Sequence, residues 1–407
     1  MQKAYRYRFY PTTEQESLLR RTMGCVRLVY NKALDARTSG WYERQERIDY
    51  VQTSAMLTGW KKEEDLEFLN EVSSVPLQQG LRNLQKAFGN FWAGHAKYPN
   101  FKKKHQGGSA EFTKAGFRWK EGQVFLAKCT EALPIRWSRD VPQDCTPSTI
   151  TVKLDASGRW FASLLVDGRV GDPTTNIAQL PKSDKSIGLD MGITSLIATS
   201  NGDKIANPKH FKQLRKKLKR IQKALSRKQK GSNNRQKARL KVAKVHAQIT
   251  DARKDFLHKL TTQLVRENQM IVVEDLAIKN MVKNHKLALA ISDASWGELI
   301  RQLAYKCEWY GRELIKIDRW FPSSKRCGNC GHIVDKLPGG RGTRPALNVR
   351  DWACPKCGVN HDRDINAAHN ILAAGLAVSV CGANIRPDRE FSKGPLRETR
   401  KGKKQKI

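Results

Sequence analysis

Two Cys-x-x-Cys pairs, Cys327/Cys330 and Cys354/Cys357, stand just ahead of the run His361-Asp362-Arg363-Asp364-Ile365-Asn366-Ala367-Ala368, and no other stretch constrains the chain as much. Four thiolates so paired suit one tetrahedral Zn²⁺, because each pair turns tightly enough to bring both sulfurs to about 2.3 Å from the metal. The 23 residues between the pairs slightly exceed the usual spacing of about 15 to 20. Pro338-Gly339-Gly340 with Gly342 predicts a flexible loop that absorbs the excess. Four thiolates close the coordination sphere, so this zinc is expected to be structural. From Asp364 onward, Ile365, Ala367, Ala368, Ile371, Leu372, Ala374 and Leu376 recur at the spacing of a helix with one buried face. A carboxylate at such a helix start is kept ionised by the dipole, although an Asp there also suits a plain cap.

Upstream, Ser186-Ile187-Gly188-Leu189-Asp190-Met191-Gly192-Ile193 is an apolar strand pattern interrupted by one acid, and it leads to a turn at Asn201-Gly202. An unpaired buried carboxylate is costly, and metal ligation is one reason to keep it. Gln269-Met270-Ile271-Val272-Val273-Glu274-Asp275-Leu276 is a second buried-strand pattern ending in acid. Asp190, Glu274 and Asp364 are therefore three acids at the ends of core elements, able to converge in a fold. Three such carboxylates can hold two Mg²⁺ about 3.5 to 4 Å apart, one activating water and one stabilising the leaving oxygen of a phosphodiester. Asp275 and Asp362 rank below them because strand and helix periodicity turns them elsewhere.

The patterns G-x-D-x-G at Asp190, V-V-x-E-D-L at Glu274, F-P-S-S-x-x-C-x-x-C, C-P-x-C-G and D-R-D-x-N-A-A at Asp364 together resemble the TnpB proteins of insertion sequences. The resemblance extends to Tyr10-Pro11-Thr12, Gly24-Cys25-Val26-Arg27 and Ser292-Asp293-Ala294-Ser295-Trp296. It implies kinship with type V CRISPR effectors and a nuclease domain of the RuvC type in the RNase H fold. Asp190, Glu274 and Asp364 match the family's catalytic carboxylates, and the four cysteines match its zinc ribbon. The implied activity is RNA-guided cleavage of double-stranded DNA beside a short target-adjacent motif, with a guide RNA drawn from the transposon's own end. By local alignment of flanking patterns, Tyr50, Ser54, Gln78 and Thr113 match the readers of that motif. Each also suits a polar surface residue with no base contact.

Composition agrees with a nucleic-acid partner. Lys and Arg number 75 against 39 Asp and Glu, a formal charge of +36. A solvated surface does not require that excess, and a long polyanion explains it. No apolar run approaches about 18 residues, which argues against membrane insertion. No signal-like segment follows Met1, and the scattered cysteines suit a reducing cytoplasm, near the nucleoid.

In fold class the chain reads as multidomain α+β. Residues 1–11 and 112–171 are expected to form a small β-barrel, the family's wedge domain, with a helical recognition lobe at 12–111 inserted into it. Tyr5, Tyr7 and Phe9 alternate as one strand face; Thr12 and Gln15 offer a capping box; and Leu77, Leu81, Leu84 and Phe88 form a buried helical stripe. Lys102 and Lys103, in a basic loop with Tyr98 and Phe101, suit backbone contact plus base stacking, or a solvated linker. Residues 172–185 read as a linker, 186–326 and 358–385 as the RuvC-like nuclease domain, 327–357 as the zinc ribbon, and 386–407 as a basic mobile tail.

Between Lys209 and Lys244 lie 16 Lys or Arg and no acid. The stripes Leu214, Leu218, Ile221 and Val242, Val245, Ile249 predict a helical hairpin; its outer face, with Arg215, Lys216, Lys219 and Arg220, suits a solvated surface or, since so many cations without a counter-acid repel one another, contact with guide or heteroduplex phosphates. Arg363 and Asn366 are candidate contacts around the acids. The leading expectation is a Mg²⁺-dependent, RNA-guided DNA endonuclease, monomeric with its RNA. The alternative is a DNA-binding regulator or accessory protein of transposition that does not cut; such a protein has no need of the acid triad. Strand-joining transposase chemistry shares the same acids and differs only in its products.

Overall fold

Tyr5, Tyr7 and Phe9 are all buried on one face of β1 (Gln2–Phe9), while Arg6 and Arg8 face the other way. The computed structural model describes residues 2–104, 107–141, 145–167, 180–335 and 350–381. After β1 come α1 (Thr13–Arg44), α2 (Tyr50–Trp60) and α3 (Ser74–Trp92). The strands β2 (Gly108–Thr113), β3 (Phe117–Lys120), β4 (Gln123–Leu126), β5 (Ile135–Arg136), β6 (Pro147–Leu154) and β7 (Trp160–Asp167) follow. Next are β8 (Ser186–Met191), β9 (Ser195–Thr199), β10 (Lys204–Ala206), α4 (His210–Ser226), α5 (Asn233–Glu267) and β11 (Met270–Glu274). The chain continues through α6 (Ile278–Met281), α7 (Ala288–Ala294), α8 (Trp296–Tyr310), β12 (Glu313–Ile317), β13 (Asp351–Ala353), β14 (Asn360–Asp362) and α9 (Arg363–Cys381). Most of the expected linker at 172–185, the loop at 338–342 and the tail at 386–407 lie outside the described residues.

The chain divides into two compact units. The first comprises Met1–Asp184, Pro208–Gln269 and His285–Glu313. Its sheet runs β2-β6-β7-β1-β5 with antiparallel neighbours, and the β3–β4 hairpin shares the same core through Phe117, Val124 and Leu126. Gln15 closes the capping box on Thr12 and also donates to the Ala132 carbonyl at 3.1 Å, so one buried amide both starts α1 and fixes it to the strand segment. The Leu77, Leu81, Leu84, Phe88 stripe of α3 packs on Val26, Val29, Ala33 and Leu34 of α1. The helices α4 and α5 meet along Leu218, Val245 and Ile249, the seam their spacing predicts. Gly231, at φ +89°, turns one into the other, and Ser232 caps α5 by accepting from the Arg235 N–H at 3.2 Å.

The second unit comprises Lys185–Asn207, Met270–Asn284 and Leu314–Ile407. Its sheet order is β10-β9-β8-β11-β12, with β8 antiparallel to β9 and parallel to β11. The helix α9 lies directly on this sheet because two glycines clear its path. A Cβ at Gly188 would collide with the Ala368 carbonyl and sit 2.8 Å from the Leu372 nitrogen, and one at Gly375 would sit 2.5 Å from the Val272 methyls.

Candidate active site and metal centre

Strand period and helix pitch together explain where the acids go. Gly188 faces α9 at Ala368, so Asp190, two residues further along β8, faces α9 as well. The helix packs Ala368 and Leu372 on Gly188 of β8 and Gly375 on Val272 of β11, which is paired with Gly188 at the same level, so it crosses from one strand to the next. One turn before Ala368 is Asp364, at the helix start beside Asp190. Leu189 pairs with Val273 in the parallel β8–β11 ladder, which sets Asp190 and Glu274 level on adjacent strands.

The three carboxylates sense one another. Burial, then the negative charges of Glu274 and Asp364, push the Asp190 carboxyl up from its ordinary 3.8 to about 7, against the opposing pull of Arg363 and Arg350. Burial also raises Glu274, opposed by the Ser323 hydroxyl, which donates to its Oε1 at 2.6 Å. Both oxygens of Asp364 accept from Arg350 Nη1, at 2.8 and 2.5 Å, while Arg350 Nη2 donates to Thr194 at 3.0 Å. Lys204 Nζ stands 4.0 Å from Asp364. The neighbouring acids are otherwise engaged. Asp362 accepts from the N–H groups of Asp364 and Ile365 at 3.1 and 3.0 Å, so it is the residue that caps α9, and it pairs with Lys204. Asp275 pairs with Arg319.

The four cysteines form the tighter cluster: all their sulfurs lie within 4.8 Å of one another, the one such ligand group among the described residues. Cys327 and Cys357 Sγ are 3.6 Å apart and Cys330 and Cys354 Sγ 3.7 Å apart. Sulfurs about 2.3 Å from one tetrahedral zinc would be separated by about 3.8 Å, so the donor set fits that ion. Gly331 and Gly358, at φ +72° and +70°, close the two knuckles. His361 Nε2 lies 3.0 Å from Cys327 Sγ. Two buried amides hold the ribbon to α9. Asn366 accepts from Gly328 N–H at 2.8 Å and donates to the Arg326 carbonyl at 2.7 Å; Asn370 donates to the carbonyls of Ser323 and Arg326 at 2.8 and 2.7 Å. Asn366, two residues after Asp364, thus braces the cysteine knuckle to the helix that carries that acid.

Sequence reasoning missed Arg350, Lys204, Thr194 and Ser323 around the acids. Only Ser323, in the F-P-S-S run, carried a local signal. In the first unit, Tyr50 and Ser54 lie one turn apart on α2, and Gln78 and Arg82 one turn apart on α3. Arg82 Nε donates to the Tyr50 hydroxyl at 3.2 Å, joining the two faces and adding a cation the sequence did not flag. Thr113 ends β2, and three residues on Gly116 abuts Val75 of α3. Lys102 lies with its ammonium 3.8 Å from the Tyr30 ring centroid and its backbone bonded to Asn31. Lys103 is exposed, as are Arg215, Lys216, Lys219 and Arg220 on α4; no described contact links these α4 cations to the Tyr50–Arg82 pair. Arg363, half-buried, bears electrostatically on Asp190.

The fold is of a mixed α/β multidomain class shared with the protein of a solved Cas12f1-sgRNA-target DNA complex, at TM-score 0.55 and 15% identity over 88% of this chain and 83% of that one. Three family descriptions match along the sequence: "Helix-turn-helix domain" at residues 1–46, "Probable transposase" at 168–285 and "Cas12f1-like, TNB domain" at 296–371. The first of these segments is formed here as one strand and one continuous helix. A "Putative RNA-guided DNA endonuclease" of Streptomyces pristinaespiralis is 58% identical, covering 97% of this chain and 94% of the relative. A relative of the same description, InsQ of Escherichia coli (strain K12), is 31% identical over 97% of each. The chain belongs to the TnpB family of insertion-sequence proteins.

Proposed function

We propose that this protein is an RNA-guided DNA endonuclease of a transposable element, hydrolysing phosphodiesters of double-stranded target DNA at Asp190, Glu274 and Asp364. One observation carries the assignment: Asp190, partly exposed at the end of β8, is raised to about 7 by desolvation and then by two further carboxylates, with no hydrogen bond from a described residue to relieve it. A structural carboxylate in that position would have a partner, whereas divalent cations supply the missing charge. Two Mg²⁺ fit such a donor set and would activate water and stabilise the leaving oxygen. The protein's own part is positional. Ser323 fixes the Glu274 carboxylate, β8 and α9 fix the separation of Asp190 and Asp364, and Arg350 neutralises Asp364 until a cation or substrate phosphate competes for it.

The sheet order, with β10, β9 and β8 antiparallel in turn and β11 parallel to β8, supports an RNase H-like, RuvC-type reading of the second unit. The β2-β6-β7-β1-β5 sheet with its hairpin supports the wedge reading, and the cysteine cluster supports one structural Zn²⁺. Guide RNA and target DNA would be held through the exposed cations of α4 and α5, with Tyr50, Ser54, Gln78, Arg82 and Thr113 reading the flanking motif. Among the described residues no helix is long and apolar enough to cross a membrane.

The test is to co-express the protein with its element, sequence the copurifying RNA, and assay Mg²⁺-dependent cleavage of a plasmid library with randomised flanks. A discrete RNA and cleavage by wild type but not Asp190→Ala are expected. Binding without cleavage by both would transfer the protein to the regulators.

A further inference from the structure

Between β12 and the first knuckle the chain makes a tight surface loop whose apex is Trp320. Its indole is 83% exposed, more than any other large apolar side chain among the described residues. The exposure is built in. Asp318 accepts from the Trp320 N–H at 2.7 Å, its carbonyl accepts from Phe321 N–H at 3.2 Å, and Ser323 N–H closes back on Phe321 at 2.8 Å. The loop therefore holds the ring outward. Around it runs a shallow groove walled by Ala373 and Ala377 of α9, with Lys316 and Arg326 beside the Arg319–Asp275 pair and Asp318. Arg326 lies over the Phe321 ring at 5.9 Å.

Position gives this platform its meaning. Asp275 N–H donates to the Ile317 carbonyl at 3.2 Å, so β12 ends level with β11 and delivers the loop to the strand ends where Glu274 stands. Three residues after Trp320, Ser323 touches Glu274. At no more than about 3.6 Å per residue, the Trp320 backbone lies within roughly 11 Å of that of Ser323. An exposed indole with Lys316 and Arg326 beside it is the equipment that binds an unpaired base and its phosphates, because stacking needs a free base face that duplex DNA does not offer.

We infer that Trp320 is a stacking platform for an unpaired base of the single-stranded DNA entering the acid site, with Lys316 and Arg326 on its phosphates. The inference rests on the nuclease reading of that site. Trp320 is a positioning residue: it holds the strand in register and takes no part in bond breaking.

Two measurements test it. In the first, the guide complex carrying Asp190→Asn is irradiated with an oligothymidylate containing 5-iodouracil, and adducts are mapped by mass spectrometry. An adduct at Trp320 is expected, and adducts confined to other segments would overturn the proposal. In the second, cleavage of a single strand complementary to the guide is followed at varied concentration; only strands seated at the acids are cut, so binding elsewhere on the basic surface does not contribute. Trp320→Ala should lower the cleavage rate at saturating strand roughly 5- to 150-fold, the range of one lost stack, with KM, set by guide pairing, and Tm unchanged and Trp320→Tyr largely rescuing. An unchanged rate at saturation would refute the platform. Should the parent complex cut nothing, the nuclease reading has failed, and the crosslink still decides the platform.

Discussion

Replacing Asp190 by Asn should abolish cleavage and make the metal-free protein more stable. The folded carboxyl ionises at about 7, against an ordinary 3.8. Each pKa unit corresponds to about 1.36 kcal/mol, so ionising this group inside the fold works against folding by up to about 4 kcal/mol. The sign follows from proton counting. Between pH 4 and 7 the folded state holds a proton that the unfolded state has released, so the penalty is complete above pH 7 and shrinks as pH falls, vanishing below 4. The Asn side chain is nearly isosteric and never ionises. Denaturant titrations in a chelator should therefore show Asp190→Asn stabilised by as much as about 4 kcal/mol at pH 8 and scarcely at all at pH 4. Adding Mg²⁺ at pH 8 should narrow the gap by stabilising only the wild type. An equal gain at both pH values, or none at pH 8, would show that Asp190 is not held as a strained, ionisable group, and the argument for a cation there would fall with it.

Three other outcomes follow from the same geometry. Gly188→Ala places a methyl against the Ala368 carbonyl and the Leu372 nitrogen, so α9 must retreat with Asp364; a loss of about 1 to 3 kcal/mol in stability and of the order of 10²-fold in cleavage rate is expected, and unchanged kinetics would show that the helix contact does not set the acid geometry. Cleavage at limiting Mg²⁺ should rise with pH up to about 7, as Asp190 loses its proton, and the limb should move to lower pH as Mg²⁺ is raised; a profile indifferent to Mg²⁺ would separate Asp190 from the metal. Cys327→Ser should lose zinc by elemental analysis and lower Tm, whereas full zinc content would assign the metal to other ligands.

Periodicity made much of this fold legible. The alternation at Tyr5, Tyr7 and Phe9, the stripes of α3 and the α4–α5 seam each state which face is buried, and burial follows. The three acids were legible for the same reason, since each ends a pattern that otherwise reads as core. Their surroundings were not. Arg350 reaches Asp364 and Lys204 reaches Asp362 across long gaps in sequence, and a cation's partner is set by tertiary packing that no local pattern encodes. The division of labour at the start of α9 was likewise hidden: two acids two residues apart suit the cap equally well on paper, and only the strand β14 leading into the helix turns Asp362 onto the free N–H groups and releases Asp364. Gly188 stands in the sequence simply as part of an apolar strand pattern, and only the packing shows that its missing Cβ admits α9.

Asn366 and Asn370 join the cysteine ribbon to the very helix that presents Asp364, and Asn370 also holds the carbonyl of Ser323, whose hydroxyl orients Glu274. The ribbon is consequently no detachable cassette. Anyone transplanting a ribbon from a relative, or trimming it to shrink the protein, would re-aim two of the three acids unless both asparagines and the backbone they grip travel with it.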